Sequence, residues 1–498
     1  MMRPTALPLF FATVGLTACR VLPHDGPPSP AIDVPERWNG ADADAADPLA
    51  GDELWWHGFG DASLAHAVDE ALANNPDLRI SVARLGGALA QARVDSADLY
   101  PSLSANGNAS RQQQVFVGLP IPADPTDPNA GNVDVLQNRF NNYGASLDVS
   151  WELDLWGRIR AIADAAEADV RVAAEDLRAA RHSLAAQTAK AWLAWQEAQL
   201  QVELADRSVT SFADTRDLVQ RRFDGGLASA FDVRRAEADV AAAMARAEQR
   251  RDTVERAVRQ LELLLGRVPS GSFAASPVLP EMPPSPPFGV PGEIIARRPD
   301  LAAAEARLQA ADDRLYAARA NLYPRLTLTG SAGRNSDEPG DLTDPDFSVW
   351  SIAAGLTQPI FQGGRLRAGV DLADSGVRQA LASFEASLLR ALGEVEIALV
   401  GEVRLGRLLD AQGLALEQAS AARELAQERY TAGLSDLLDV LVSQRQELDA
   451  ESSLLSVRRL RLDQRVDLHL ALGGGFEVPS EPEHELAEEL PQPDEVDA

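Results

Sequence analysis

The sequence offers few groups that could carry out catalysis. Its six histidines lie far apart, and no two have the spacing of metal ligands: His24, His57, His66, His182, His469 and His484. There is no GxSxG, no HExxH and no phosphate-binding loop. We therefore expect no enzyme, no cofactor and no metal site.

Two acidic residues occupy the first turns of predicted helices. Asp232 follows Ser229 by three residues, and Asp439 follows Asp436 by three. Helix capping and the helix dipole both favour such residues at these positions. The sequence alone therefore requires no role for either pair beyond helix capping.

The only cysteine, Cys19, stands directly after an export signal. Arg3 precedes an apolar run over Ala6–Leu16, and the residues LTA lead into Cys19. This pattern resembles the bacterial lipobox, which implies removal of residues 1–18 and acylation of Cys19. Arg20 stands where an aspartate would retain a lipoprotein at the inner membrane. The alternative is an unmodified secreted protein; in either case no second cysteine is present for a disulfide.

The clearest local pattern covers twelve residues from Tyr143 to Asp154, in which apolar residues alternate with small or polar ones without a break. Strict alternation predicts a strand with one apolar and one polar face. Twelve extended residues exceed the roughly 9 to 11 that a tilted strand needs to cross a bilayer. We interpret the stretch as a membrane strand, although a half-buried strand of a soluble sheet has the same pattern.

Most of the chain consists of two copies of one unit. Residues 75–103 resemble residues 298–326 at an offset of 223, and later segments, such as GRIRA at Gly157 and GRLRA at Gly364, recur at an offset of 207. The first copy must therefore contain extra chain between Pro101 and Gly157, which we assign to a loop rich in Pro, Asn and Asp. Each copy is predicted to contain, in order, a helix, a strand, a loop, a strand, a long helix, a glycine turn and a helix.

Two strands in each copy give four strands per chain. The smallest membrane barrels have about eight strands, and an open edge in lipid leaves backbone groups unpaired at a cost of several kcal/mol each. Strands of this kind would therefore need several chains to complete one barrel. After the signal, no apolar run approaches the roughly 18 residues of a membrane helix, so contact with lipid is assigned to the strands.

Two long runs without proline, from Arg158 to Asp224 and from Arg365 to Ala432, predict long helices. At about 1.5 Å per residue, each run could extend roughly 100 Å. In the first copy, apolar residues recur at spacings of three and four, with Arg251 as an exception, which predicts packed and supercoiled helices. The predicted fold class is therefore mixed α/β, with long coiled-coil helices, four strands and an internal twofold repeat.

Charge and composition complete the predicted organisation. The 75 acidic residues outnumber the 46 basic ones, a balance that argues against nucleic acid as a partner. The predicted segments are a signal peptide over 1–18, a lipidated tether over 19–60, a first repeat over 61–268, a proline-rich linker over 269–292, a second repeat over 293–474, and an acidic disordered tail over 475–498.

Seven motifs together resemble the outer-membrane factor family, the TolC-like efflux exit ducts. In chain order they are LYPSLSANG, SWELDLWGRIRA, RRFDGGLASAFDV, RRPDLAAAEARL, ANLYPRLTLTGSAGR, QPIFQGGRLRA and RYTAGLSDLLDVL. The resemblance extends from about Trp55 to Leu472, and the lipobox is similar to that of the lipoprotein branch of this family.

The resemblance implies a homotrimer in the outer membrane, in which four strands from each chain form one twelve-stranded β-barrel and the helices continue it as a hollow periplasmic α-barrel. It implies outer-membrane lipid as a contact and two protein partners, a periplasmic adaptor (membrane fusion) protein and an inner-membrane transporter. The expected function is passive conduction of small solutes, such as drugs or metals, to the exterior. Two alternatives stay open: a duct of a type I protein secretion system, and a structural periplasmic coiled-coil lipoprotein.

The resemblance also implies roles for residues at the periplasmic end. It places the turns at Gly225, Gly226 and Gly433 at the tip, where the adaptor docks and the duct opens. It places Asp439 in a ring of three carboxylates at the narrowest point, which would repel anions and hold cations.

A second implied feature is a closed-state lock between Asp232 and Tyr430, a carboxylate and a phenol that join neighbouring helix pairs. Two positions depart from the family pattern. Ser435 stands where some members have an arginine, and Val442 stands in place of a second aspartate. We therefore expect a weaker or differently built closure.

Overall fold

The computed structural model describes residues 26–40, 54–117, 135–271, 273 and 277–474. Cys19, the export signal, most of the long strand loop of the first copy and the acidic tail lie outside these ranges. The chain divides into two units: the first contains Leu89–Asp169 and Leu308–Ala380, and the second contains Ser29–Ala88, Val170–Arg307 and the described part of Leu381–Ala498.

Eight α-helices and four strands account for most of the described residues. The helices are α1 (Ala62–Asn74), α2 (Pro76–Ala97), α3 (Arg158–Asp224), α4 (Ala230–Leu264), α5 (Glu293–Arg297), α6 (Pro299–Ala320), α7 (Arg365–Thr431) and α8 (Leu437–Ala471). The strands are β1 (Ser102–Val117), β2 (Val135–Leu153), β3 (Arg325–Ser336) and β4 (Ser348–Thr357). None of the described helices combines the length and the apolar character required to cross a membrane.

The internal repeat is confirmed by the bounds of the helices. Helices α3 and α7 both have 67 residues, and α4 and α8 both have 35. In each pair the second helix begins at the offset from the first that the sequence predicts. Helices α2 and α6 likewise have 22 residues each, and they begin at Pro76 and Pro299, which are equivalent positions of the two copies.

The four strands form one antiparallel sheet in the first unit, in the order β1-β2-β3-β4. The strand predicted over Tyr143 to Asp154 is found as the end of β2, which starts earlier and ends at Leu153. Asp154 lies beyond the strand, where its carboxylate accepts a hydrogen bond from the backbone N–H of Arg160 at 2.8 Å in the first turn of α3. The Asp154 carboxylate thus bonds to the start of α3, and Asp154 is not part of the sheet.

Large apolar side chains of the sheet are exposed. Trp350, Ile352 and Leu356 on β4 and Leu103 on β1 are all at least two-thirds exposed. Strands β1 and β4 are the two edges of the sheet, and neither has a second partner strand within the described part of the chain. The sheet therefore presents apolar surface and two rows of unpaired backbone groups.

Strands β2 and β3 approach each other closely at Gly333. A Cβ at this position would lie 2.2 Å from the carbonyl oxygen of Ala145 and 2.7 Å from the Cα of Ser146. Backbone atoms cannot move aside as a flexible side chain can, so the pairing of these strands requires a glycine here.

Aromatic side chains form part of the core of the second unit. Trp192 and Trp195 meet edge to face at 5.3 Å, and Phe273 packs against both. Trp55 and Trp56 belong to the same buried cluster. The tryptophans of α3 are therefore packing residues, as their helical spacing indicates.

An amino-terminal segment, residues 29–40, packs on α7 in the second unit, and we call it the strap. Its Trp38 is buried and donates from Nε1 to the carbonyls of Phe288 and Gly289 at 3.2 and 3.1 Å. The backbone N–H groups of Asn39 and Gly40 donate to the carboxylate of Glu396 at 2.7 and 2.8 Å. The N–H of Ala31 also donates to the carboxylate of Glu385 at 3.0 Å. A segment that its proline content marks as a surface tether is thus fixed at one buried indole and two carboxylates.

Candidate functional site at the helix hairpin turns

Each of the two longest helices ends in the same glycine turn. In the first turn, the N–H of Gly226 donates to the carbonyl of Phe223 at 2.9 Å, and that of Leu227 to the carbonyl of Arg222 at 2.7 Å. The same two bonds recur at the equivalent place of the second repeat, where Gly433 takes the place of Gly226. The φ angles of these two glycines are +71° and +74°, in the left-handed region that favours glycine. Both turns therefore terminate a helix by the same physical device.

Gly225 is not required by the turn geometry. It is absent from the residues with positive φ, and a Cβ there would meet only carbonyl oxygens at 3.5 Å or more. The equivalent residue of the second repeat is Ala432. Of the three predicted turn glycines, Gly226 and Gly433 are thus the two that the backbone conformation demands.

The helices that follow the turns begin differently. At the start of α4, the Ser229 hydroxyl accepts from the N–H of Asp232 at 3.2 Å, and the Asp232 carboxylate accepts from the N–H and the hydroxyl of Ser229 at 3.0 and 2.7 Å. At the start of α8, Asp436 is the capping residue, but its side chain makes no capping hydrogen bond. The predicted capping is therefore found in the first repeat and is wrong for the second.

The residue types explain one part of this difference. The Ser229 hydroxyl can donate to the Asp232 carboxylate as well as accept from its N–H, whereas a carboxylate at position 436 has no such donor for Asp439. Asp439 is exposed, and within the described ranges no hydrogen bond or ion pair to its carboxylate is found. Its position in the first turn of α8 favours a negative charge. Its carboxylate is thus available to solvent or to another chain, and its role at a constriction stays a prediction.

Tyr430 lies in a buried cluster near the end of α7. It is 6% exposed and belongs to the same cluster as Phe212, Val219 and Leu441. Burial raises the pKa of the Tyr430 phenol above its ordinary value, and the nearby charge of Asp232 acts in the same direction. The phenol is therefore neutral at physiological pH.

The predicted lock between Asp232 and Tyr430 is not formed as a hydrogen bond within the described part of this chain. The Asp232 carboxylate accepts hydrogen bonds from Ser229, and the partner of Tyr430 is Arg222. The guanidinium of Arg222 lies over the Tyr430 ring, with Cζ 4.7 Å from its centre. The lock therefore stays a prediction, and Arg222 is a residue that the sequence did not single out.

The sequence contains a signal for Arg222, but Arg429 at the end of α7 shares it. Arg221 and Arg222 occupy the last turn of α3, where a basic side chain interacts favourably with the free carbonyls of the helix end.

The two departures from the family pattern lie near the turns. Ser435 has a buried hydroxyl without a partner among the described residues, and Val442 is exposed.

Matching apolar side chains are exposed beside both turns. Leu227 and Phe231 in the first repeat are each 71% exposed. Leu434 and Leu438, their equivalents in the second repeat, are 70% and 45% exposed. The two turns thus present the same pair of apolar positions on the outside of each hairpin.

Two of the described histidines have packing roles. His182 is buried and His469 is partly buried, and desolvation lowers the pKa of each to about 4, so both are neutral at pH 7. His469 stacks on Trp55 with the ring centres 5.3 Å apart. In the part of the chain that the structure describes, no three His, Cys, Asp or Glu residues are grouped so that they could hold a metal ion.

Comparison with known proteins agrees with this architecture. The family model for outer membrane efflux proteins matches residues 67–267 and 290–474. The chain belongs to the outer membrane efflux protein family. Outer membrane protein OprJ of Pseudomonas aeruginosa is 34% identical to it over 487 residues, which cover 96% of this chain and 97% of OprJ.

Two further comparisons extend this result. The solvent efflux pump outer membrane protein SrpC of Pseudomonas putida is 30% identical, over 84% of this efflux protein and 87% of SrpC. The solved structure of the outer-membrane channel OprN aligns with a TM-score of 0.83 at 29% identity, over 92% of this chain and 100% of that one.

These results confirm the main predictions. The chain is an outer membrane efflux protein with the mixed fold of the TolC-like channels, and it acts as an outer-membrane channel component in efflux. Its family is one of channels and not a class of enzymes.

Proposed function

We propose that this efflux protein is the outer stage of a tripartite pump, in which three copies form one duct and small solutes pass through it passively. The observation that carries the proposal is the four-stranded sheet with two unpaired edges, β1 and β4. A second copy can pair β1 with its β4, and three copies supply twelve strands. Closure in this way pairs every edge, as lipid requires.

The adaptor and the inner-membrane transporter are the proposed partners. The turns at Gly226 and Gly433 are the proposed docking surface for the adaptor. The exposed residues Leu227 and Leu434 support this role, because apolar residues at equivalent places on two hairpins offer repeated contacts of the same chemistry.

We infer that the cargo is organic. The relative SrpC is named for solvent efflux, and another relative, ArpC of Pseudomonas putida, for antibiotic efflux. These names favour small organic solutes over metals and over the alternative of protein secretion. Substrate choice within this class is assigned to the transporter.

Asp439 is the proposed constriction residue. Its carboxylate is exposed and without a hydrogen-bond partner within the described ranges, so three copies around one axis would form an acidic ring. Such a ring would hold cations and repel anions. Closure through Asp232 and Tyr430 between neighbouring helix pairs is a second part of this proposal.

Acylation of Cys19 is also proposed, on the basis of the lipobox and the branch of the family that it resembles. The mature amino-terminal peptide should carry lipid when it is analysed by mass spectrometry. A Cys19→Ser variant should lack this mass and still form trimers, because the proposed strand pairing does not involve residue 19.

The central experiment is reconstitution of the purified protein into planar bilayers. We expect a detergent-stable trimer with discrete channel conductance. Expression with a cognate adaptor and transporter should restore solvent or antibiotic resistance to an efflux-deficient strain. A monomer without conductance would overturn the proposal and favour a structural coiled-coil lipoprotein, and secretion of a protein without solute resistance would favour the type I alternative.

A further inference from the structure

Arg222 joins the end of α3 to the end of α7 within one chain. Its Nη1 donates to the carbonyl of Tyr430 at 3.0 Å and to the carbonyl of Thr431 at 3.3 Å. Thr431 is the last residue of α7, and the last carbonyls of a helix have no donor within the helix itself. A cation from one hairpin therefore caps the carboxyl end of the long helix of the other.

The Tyr430 ring adds a second contact. The guanidinium lies over this ring, which is buried in the cluster that also contains Leu437 and Leu441. A cation over a desolvated aromatic face is held more strongly than one over an exposed face. Arg222 is thereby connected to the packing of the hairpin tips and not only to their surface.

Within the described residues, the contacts with Tyr430 and Thr431 are what compensates the positive charge of Arg222. Among the described residues, no ion pair between Arg222 and a carboxylate is found, and its Nε is buried without a hydrogen-bond partner. Separation of the two hairpins would remove its contacts with Tyr430 and Thr431 together. The arginine therefore favours the arrangement in which the tips stay together.

The second repeat does not duplicate this contact. The residue equivalent to Arg222 is Arg429, which is exposed and forms no side-chain hydrogen bond or ion pair with the described residues. Ser435, where the family pattern has an arginine in some members, cannot supply a charge. Of these two equivalent arginines, only Arg222 links the hairpins within the described residues. Farther from the turns, Gln444 and Arg445 of α8 contact Thr215 and Asp239 of the first repeat.

We propose that Arg222 is the latch that keeps the periplasmic tip of this duct closed, through the carbonyls of Tyr430 and Thr431 and the ring of Tyr430. This inference rests on the proposed duct function and names a residue that regulates it. Opening of the tip breaks the latch, and the adaptor, docked beside it, stabilises the open arrangement.

The test is single-channel conductance of Arg222→Ala in planar bilayers, with Arg429→Ala as the matched control. A hydrogen bond to a charged group shifts an equilibrium by about tenfold, so we expect the open fraction of Arg222→Ala to rise about tenfold. Arg429→Ala should conduct like the wild type. Cells with Arg222→Ala should also become more sensitive to large hydrophilic antibiotics that leak through an open duct.

Two further variants separate the latch from the phenol lock. Tyr430→Phe keeps the ring and the carbonyl that Arg222 contacts but removes the hydroxyl of the proposed phenol lock, so its open fraction should rise less than that of Arg222→Ala. An increase with Tyr430→Phe and none with Arg222→Ala would overturn the latch in favour of Asp232 and Tyr430. Should Arg222→Ala fail to assemble, Arg222→Gln carries the same expectation.

The possible failures are distinguishable. A wild-type protein without conductance would contradict the duct function itself. Normal wild-type conductance with an Arg222→Ala trace equal to those of the wild type and Arg429→Ala would leave the duct function intact and refute the latch.

Discussion

Ser229 and Asp232 cap each other at the start of α4, with the serine N–H donating to the carboxylate at 3.0 Å and the aspartate N–H donating to the hydroxyl at 3.2 Å. Asp436 and Asp439 hold the same positions at the start of α8 without this exchange. Two hairpins of the same length therefore differ in the chemistry of their tips.

Ser229→Ala should destabilise the first turn of α4 by about 1 kcal/mol, because it removes the acceptor for the N–H of Asp232. Asp436→Ala should cost less, since the side chain of Asp436 makes no capping bond. Hydrogen exchange of the first-turn amides in the purified trimer measures both. Equal acceleration of exchange in the two variants would contradict the distinction.

Asp439→Asn should lower the preference of the channel for cations. The change removes three negative charges from the proposed ring while keeping the size of the side chain. Reversal potentials across a salt gradient report the preference, and Asp449→Asn, a change at another exposed position of α8, is the control. A reversal potential that stays at the wild-type value would reject Asp439 as the constriction residue.

Glu396→Ala should loosen the end of the strap at Asn39 and Gly40, whereas Ala31 keeps its bond to Glu385. The carboxylate accepts two backbone N–H groups at 2.7 and 2.8 Å, and charge-assisted bonds of this kind contribute about 2 kcal/mol. Amide exchange at Asn39 and Gly40 should accelerate while exchange at Ala31 and in α8 stays unchanged. Glu417→Ala, at an exposed position of the same helix, should have no effect; protection of Asn39 and Gly40 that survives Glu396→Ala would contradict the assignment.

Asp463 should make the trimer more stable at mildly acidic pH than at pH values above 6. It faces Lys190 and Glu197 of α3 and Arg459 and Asp467 of its own helix, and burial raises its pKa from 3.8 to about 6. A carboxyl whose pKa is raised by folding favours the folded state below pH 3.8, and this contribution is lost as the pH rises through 6. One of its oxygens has no hydrogen-bond partner among the described residues.

Asp463→Asn should therefore raise the free energy of unfolding at pH 7.5, by about 1 to 3 kcal/mol, and the gain should shrink as the pH falls towards 4. Thermal dissociation of the trimer, followed at several pH values, measures the change. His182 and His469 act in the opposite direction on acidification, because folding lowers their pKa to about 4. The comparison with wild type at each pH removes their contribution, and a gain independent of pH would exclude titration of Asp463 as its cause.

Elements with strong periodicity were predictable from the sequence. The alternation around Tyr143 predicted a strand, and the proline-free run from Arg158 predicted a helix that ends at Asp224, because each pattern is local and its period selects one secondary structure. The constant offset between the later parts of the two copies is consistent with the equal lengths of the two pairs of long helices.

Contacts between distant segments were not predictable in the same way. Arg222 and Tyr430 lie in different copies of the repeat, and nothing local distinguishes Arg222 from Arg429, its counterpart. The fixed position of the strap was also not predictable. Its composition indicates a tether, whereas the buried position of Trp38 shows that it is fixed. Pairing across such separations depends on tertiary packing, which composition and period do not encode.

The equal lengths of α3 and α7 limit how the protein can change by insertion or deletion. Loss of one residue within α3 would turn every side chain beyond it by about 100° and draw its turn back by about 1.5 Å. Arg222 would then point away from α7, whose own end had not moved. Viable changes of length must therefore occur in both halves of the gene together, as matched additions or losses of whole helical turns.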